Sequence, residues 1–302
     1  MMPRDAAGLR MRKEAVSSRG MQALALGISV LFLVMLLLLL AKSRPLLSGY
    51  SLTEVLLSSH WDPARGQFGF APVILGTFYV TFIAMLIAVP VSLLCAVYLS
   101  EYAPGRVRQM FSSYIGVLAG IPSVVFGICA LLVFVPLVAD YIGPWVGVET
   151  TGLCILTAGL ILAVMVFPIV ISLSYESLQA LPIELREASL SMGATRWETT
   201  RKVLFKAAGP GMLSAILLGF GRAFGETMAV AMVVGGKNQM PSLFAAGQTL
   251  PSLIVSSFGE MMSLPLEQSA LVFVALFLFV VVTVFNLLAR WVEKRLQARW
   301  KI

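Results

Sequence analysis

Gly219-Phe220-Gly221-Arg222-Ala223-Phe224-Gly225-Glu226 lies inside an otherwise apolar run from residue 208 to residue 235, so an arginine and a carboxylate fall where a bilayer-spanning helix should be. A charged group at bilayer depth costs about 2.5–3.5 kcal/mol on insertion scales, so such residues face a protein interior or a water-filled path. Counted from Pro210 and Gly235 along a helix, Arg222 falls near mid-bilayer, with Glu226 one turn further on the same face. Two readings are open. In one, the charges neutralise each other or other buried groups within the bundle. In the other, Arg222 meets an oxyanion, because a planar guanidinium offers several fixed donors, and Glu226 holds it in place and limits how tightly the anion is kept.

The rest of the chain agrees with a bilayer setting. With 59% apolar and 12% charged residues and a mean hydropathy of +0.91, folding alone cannot hide the apolar surface from water. A spanning helix needs about 20 mostly apolar residues, and six stretches qualify: 21–41, 71–99, 113–138, 152–175, 208–235 and 268–290. An even count puts both termini on one side. Of the 22 Lys and Arg residues, 17 lie in the two termini and the second and fourth loops, which makes those regions cytoplasmic. The net charge of +7 is thus a topology signal that also suits anionic lipid, and nucleic-acid binding is the weaker reading.

The division that follows is a basic N-terminal segment (1–20), a first span (21–41), an outer loop (42–70), a five-helix core (71–290) containing a cytoplasmic loop at 180–207, and a basic tail (291–302). The first apolar run is too long for a cleaved signal and reads as a retained helix. In the outer loop, Ser51-Leu52-Thr53-Glu54 is a capping-box pattern that should start a short interfacial helix with Leu52, Val55 and Leu56 on its apolar side. Cys95, Cys129 and Cys154 fall inside spans without ligand spacing and read as packing residues. Prolines punctuate the spans at 90, 122, 136 and 168; Gly120 to Gly127 joins such a break to a hydroxyl and two glycines, as a gate or as a kinked packing helix. Ser123 and Thr77, beside Pro and Gly breaks, are pathway candidates, as is Thr227 beside Glu226.

The fourth loop reads residue by residue. Pro182 favours a helix start, Ile183 to Met192 is helix-compatible, Gly193 can stop it in a left-handed turn, and Thr195-Arg196-Trp197-Glu198 is a second capping box. Helix, glycine turn and helix then present Leu185, Ala188, Leu190 and Trp197 among charges, as material for docking into a groove of a partner or for resting on lipid.

Glu187-Ala188, with Gly193 six residues after the Glu, resembles the EAA loop of permease subunits in bacterial ATP-binding-cassette importers. Phe68-Gly69-Phe70-Ala71-Pro72 with Gly76-Thr77, then Gly120 to Gly127, then Gly219 to Val230 resemble the PstC-type permeases of phosphate importers. The resemblance implies an all-α, six-helix permease of MetI-like architecture in the bacterial cytoplasmic membrane. It also implies a second, PstA-like permease subunit, a PstB-like ATPase dimer and a PstS-like extracytoplasmic phosphate-binding protein. Glu187, Ala188, Gly193, Arg186 and Trp197 would then couple to the ATPase, and Arg222 and Glu226 would belong to the substrate pathway. The chain departs from the wider loop pattern at Ser189, Val203 and Phe205-Lys206; the last removes a proline, so the restarted helix should run on into the fifth span.

The chain lacks a nucleotide site of its own. Its one Gly-Lys pair, Gly236-Lys237, is followed by Asn238 and has Ala231 where a phosphate-cradling loop needs glycine. ATP and Mg are therefore expected on the partner ATPase, with no catalytic residue, cofactor or metal here. The alternatives are a permease for phosphonate, molybdate or sulfate, and an ion-coupled secondary transporter using Glu226.

Overall fold

The computed structural model describes the backbone of residues 4–299, and the side chains from Ser17 to Arg295 apart from those of residues 64 and 112; the outermost residues of both basic segments lie outside it. Helix α1 (Arg4–Gly49) leads into α2 (Leu52–Leu57) and a two-stranded hairpin, β1 (Trp61–Asp62) and β2 (Gln67–Phe68), closed by a left-handed turn at Gly66. Next come α3 (Ala71–Val97), ending in a π-helical turn at Tyr98–Tyr102, then α4 (Gly105–Gly120), α5 (Ser123–Cys129), two π-helical stretches and α6 (Gly143–Val146). Helix α7 (Ile155–Gln179) precedes α8 (Ile183–Ser191), α9 (Arg196–Glu198), a π-helical stretch at Thr199–Leu204 and α10 (Phe205–Ala207). The chain closes with α11 (Gly209–Phe224), α12 (Met228–Val233), α13 (Leu250–Met261) and α14 (Pro265–Arg299).

Among the described residues, five helical stretches are long and apolar enough to span a bilayer: 17–49, 71–102, 123–146, 155–179 and 265–295. The count reaches six when the bent pair 196–207 and 209–224 is taken as one span. Helix α7 is the hub, with 67% of its apolar window buried against none of that of α1, which leans on α14 and turns its other faces outward. Because lipid is as apolar as leucine, helices here associate by close packing rather than by escape from water. Small residues supply it: Ala84 and Ala88 of α3 and Ala158 of α7 are fully buried together with Ile161, Leu162 and Val166.

A second cluster, at the opposite end from residues 180–207, joins Leu46, Val55, Phe68, Phe70, Val73, Leu250, Leu253 and Phe273. Gly76 lies where a Cβ would collide with the Gln248 carbonyl oxygen, so only glycine lets α3 approach the chain entering α13. One residue on, Thr77 Oγ1 donates to the Val73 carbonyl and accepts from the Leu250 N–H, both at 2.8 Å, with 2% of the residue exposed. Its hydroxyl is thus a strut between α3 and α13. Thr77→Val, which strands that buried N–H, is expected to destabilise the subunit by about 1–3 kcal/mol, read as a lower melting temperature in detergent, whereas Thr77→Ser should stay near wild type.

Four sequence expectations are corrected. The third span is not 113–138: Pro122 holds Ile121 extended (φ −69°, ψ 129°), separating α4 from a span that begins at Ser123. The restarted helix does not run on into the fifth span, because the chain bends by 70° at Ala208, where Pro210 lacks the N–H and clashes with the preceding turn. The fifth span is itself interrupted between Phe224 and Met228. Finally, α2 forms without the Ser51 cap, whose hydroxyl instead meets Thr53 Oγ1 at 2.8 Å.

Candidate functional site

Residues 180–207 form an exposed platform at one end of the bundle. Pro182 precedes α8 with extended backbone, and none of the residues of α8 is buried. Gly193 follows with φ +85° and open space where a Cβ would point. Thr195 then caps the next helix: its Oγ1 accepts from the Glu198 N–H at 3.2 Å, while Glu198 Oε2 accepts from the Thr195 N–H at 3.1 Å. The Thr195 N–H, with Lys202 next and the Thr195 hydroxyl, holds the Glu198 carboxyl at about 2. That preference is fully present above the ordinary carboxylate range and is lost only as pH falls towards 2.

Four of the five coupling candidates face outward on this platform. Glu187, Ala188, Gly193 and Trp197 are exposed, and Ala188 and Gly193 line a groove of about 500 Å³ with Leu185, Met192 and Glu198. Arg186 turns the other way. Its Nη2 meets Glu101 Oε1 at 2.9 Å and its Nε meets Oε2 at 3.2 Å, with side chains only 19% and 12% exposed. Sequence reasoning missed Glu101; the available signal was a carboxylate ending the second apolar run.

The broken span is the second site. Among the described residues, Arg222 makes no hydrogen bond or ion pair; it is exposed in the last turn of α11. Glu226 lies beyond the helix end, partly buried, and its Oε1 accepts from the Ala229 N–H at 3.3 Å. The expected same-face neighbours are therefore separate: the cation sits at a helix C-terminus and the carboxylate at the next helix start, each where the helix dipole favours it. Thr227 Oγ1 donates to the Gly225 carbonyl inside the break. Phe224 is buried edge-on against Phe78 of α3, with ring centroids 5.3 Å apart, which fixes the break to the bundle.

Ser123 is half-buried at the start of α5, whose Gly127 packs on Ala229 and Met232 of α12. Thr77 is turned into the α3–α13 junction described above. An apolar groove of about 690 Å³ between α3 and α11 is lined by Phe78, Phe82, Met85, Ile216 and Phe220 among others. Its wall suits acyl chains or a helix, not an anion.

A broken span carrying an unpaired arginine, joined to an exposed helix-turn-helix platform, defines a multi-pass membrane transport subunit. Residues 88–298 match the family model described as "binding-protein-dependent transport system inner membrane component", and the chain belongs to this family. It is 38% identical over 253 residues to the probable ABC transporter permease protein YqgH of Bacillus subtilis, covering 83% of this chain and 80% of that one. It is 37% identical over 257 residues to the phosphate transport system permease protein PstC of Haemophilus influenzae, covering 80% and 81%. A solved bacterial alginate ABC transporter shares the fold, with a TM-score of 0.63 at 15% identity over 95% of this chain and 98% of that one. An inward-facing MetNI methionine ABC transporter shares it at a TM-score of 0.58 and 19% identity, covering 78% and 99%.

Proposed function

We propose that this chain is a permease subunit of an ATP-driven importer of inorganic phosphate, and that Arg222 lies on the phosphate path. The observation that carries the reading is the unpaired guanidinium at the break of the fifth span. An isolated arginine facing hydrocarbon is disfavoured by about 2.5–3.5 kcal/mol on insertion scales, so in the assembled importer it faces protein or water. Several fixed donors on one planar cation suit a tetrahedral oxyanion. Relatives at 33–37% identity named as PstC phosphate permeases support the choice of substrate.

In this reading the two termini and residues 180–207 are cytoplasmic, as the Lys and Arg distribution favours. The exposed groove beside Gly193 seats a PstB-like ATPase, which holds ATP and Mg, while a PstA-like subunit completes the path and a PstS-like protein delivers phosphate. Selectivity then rests largely on the delivery protein, since a guanidinium alone does not separate phosphate from sulfate, molybdate or phosphonate.

The test is uptake of labelled phosphate at low external concentration in cells lacking the chain, with and without complementation, against unlabelled sulfate, molybdate and phosphonate. Restored uptake that only phosphate competes is the expected result. Uptake competed by another oxyanion, or no restoration in cells without a second phosphate route, would overturn the assignment.

A further inference from the structure

Helix α8 buries none of its residues, so its place on the platform depends on a few side-chain bonds. Two of its side chains tie it down. Ser189 Oγ meets Thr199 Oγ1 at 2.9 Å, a contact within residues 180–207. Arg186 reaches out of them. Besides its forked contact with Glu101, Arg186 donates through Nη2 to the Leu178 carbonyl at 2.8 Å and through Nη1 to the Leu181 carbonyl at 3.3 Å. It therefore bolts α8 to the end of α7 and, through Glu101, to the end of α3.

Glu101 is held as firmly from its own side. Ser100 Oγ donates to Glu101 Oε1 at 2.7 Å and accepts from Gln179 Nε2 at 3.1 Å. Arg108 donates to the Leu99 and Ser100 carbonyls, both at 3.0 Å, satisfying backbone in the π-helical turn that carries Glu101. At the other end of α3, Thr77 holds the start of α13 and Phe78 holds Phe224, two residues from Arg222. From Thr77 to Glu101 a straight helix would extend roughly 36 Å.

We infer that Glu101 is a positioning residue through which displacement of α8 is passed along α3 to the broken fifth span. The inference rests on the reading of α8 as the helix that docks the ATPase. A forked arginine–carboxylate pair suits this task because two parallel bonds fix direction as well as distance, and its shelter from water leaves it little slack.

The measurement uses the complete importer in proteoliposomes, with its delivery protein and inorganic phosphate, reading uptake and ATP hydrolysis in the same vesicles. Glu101→Gln keeps an oxygen acceptor for Arg186 and Ser100 but removes the charge and the second oxygen, while Arg186 retains its two carbonyls. The expected result is retained co-purification of the ATPase with phosphate moved per ATP lowered at least fivefold. Gln179→Ala, which loosens only the support of Ser100, should lower that ratio about twofold, and it serves as the readout if the first variant fails to assemble. A purely structural role predicts that uptake and hydrolysis fall together with the amount of assembled complex. An unchanged ratio in the variants that assemble therefore overturns the inference while leaving docking intact. Undiminished ATPase co-purification with Gly193→Val overturns the docking reading, and this inference with it.

Discussion

With the platform docking a partner ATPase as proposed, Gly193→Val should release that ATPase and lower uptake by roughly 30- to 150-fold, while leaving the subunit in the membrane. The residue sits at φ +85° with open space where a Cβ would point, so the obstacle is conformational rather than steric. A β-branched residue in left-handed backbone is disfavoured by about 1–3 kcal/mol, and at about 1.4 kcal/mol per factor of ten the upper part of that range gives the stated loss. The turn lies in the exposed segment between α8 and the Thr195 cap, so strain there is relieved by re-aiming α8 rather than by opening the core. Docking suffers and the fold does not. Gly193→Asn is the control, because asparagine tolerates the left-handed region, and it should co-purify the ATPase nearly as well as wild type. Co-purification by the valine variant equal to that of wild type would sink the docking reading.

The platform was legible because its signals are local. Pro182, Gly193 and the Thr195–Glu198 box each act over four residues or fewer, and each appears in the structure as read. Apolar runs located the membrane segments for the same reason, since the bilayer sets their length whatever their neighbours do. Breaks inside an apolar run were harder. Pro122 lies inside a run that reads as one span, with a gate or a kinked helix as the options, yet it divides two helices; at Gly225-Glu226-Thr227 the run stays apolar on either side and hides the break. Ser51 shows the opposite failure: the pattern was right and α2 formed, but a neighbouring hydroxyl took the bond.

Long-range partnerships were not legible at all. Glu101 and Arg186 are 85 positions apart and Thr77 and Leu250 are 173 apart, so no spacing rule joins them. Arg186 stands among the coupling candidates implied by the resemblance, whereas the helix turns successive side chains about 100° apart and sends it inward, away from Glu187. Thr77 was singled out for its place beside Gly76, and that place matters for a different reason: the glycine lets the chain before α13 come close and the threonine then bonds it. Helix α13 lies between the fifth and sixth apolar runs, where run length gives no signal, and Thr249-Leu250-Pro251-Ser252 forms its capping box.

Arg222→Gln should abolish uptake, by at least 100-fold, with the subunit still assembled. The physical reason is the contrast with Arg186. Truncating Arg186 strands a sheltered carboxylate and two carbonyls, whereas Arg222 has no bonded partner among the described residues to leave behind. What its removal costs the fold is the favourable interaction of a cation with a helix C-terminus, about 0.3–1 kcal/mol, too little to empty the membrane of protein. Loss of transport therefore has to come from what the guanidinium does in the assembled importer. Arg222→Lys separates charge from geometry: a lysine keeps the positive charge but not the fork, and it should retain a measurable fraction of uptake if the anion is drawn mainly by charge. Glu226 gives the complementary check. Its carboxylate sits on the Ala229 N–H and not on Arg222, so Glu226→Gln should affect release and rate more than entry. If Arg222→Gln instead removes the assembled complex from the membrane, the arginine pairs with an acidic group of a neighbouring subunit, and its role is structural.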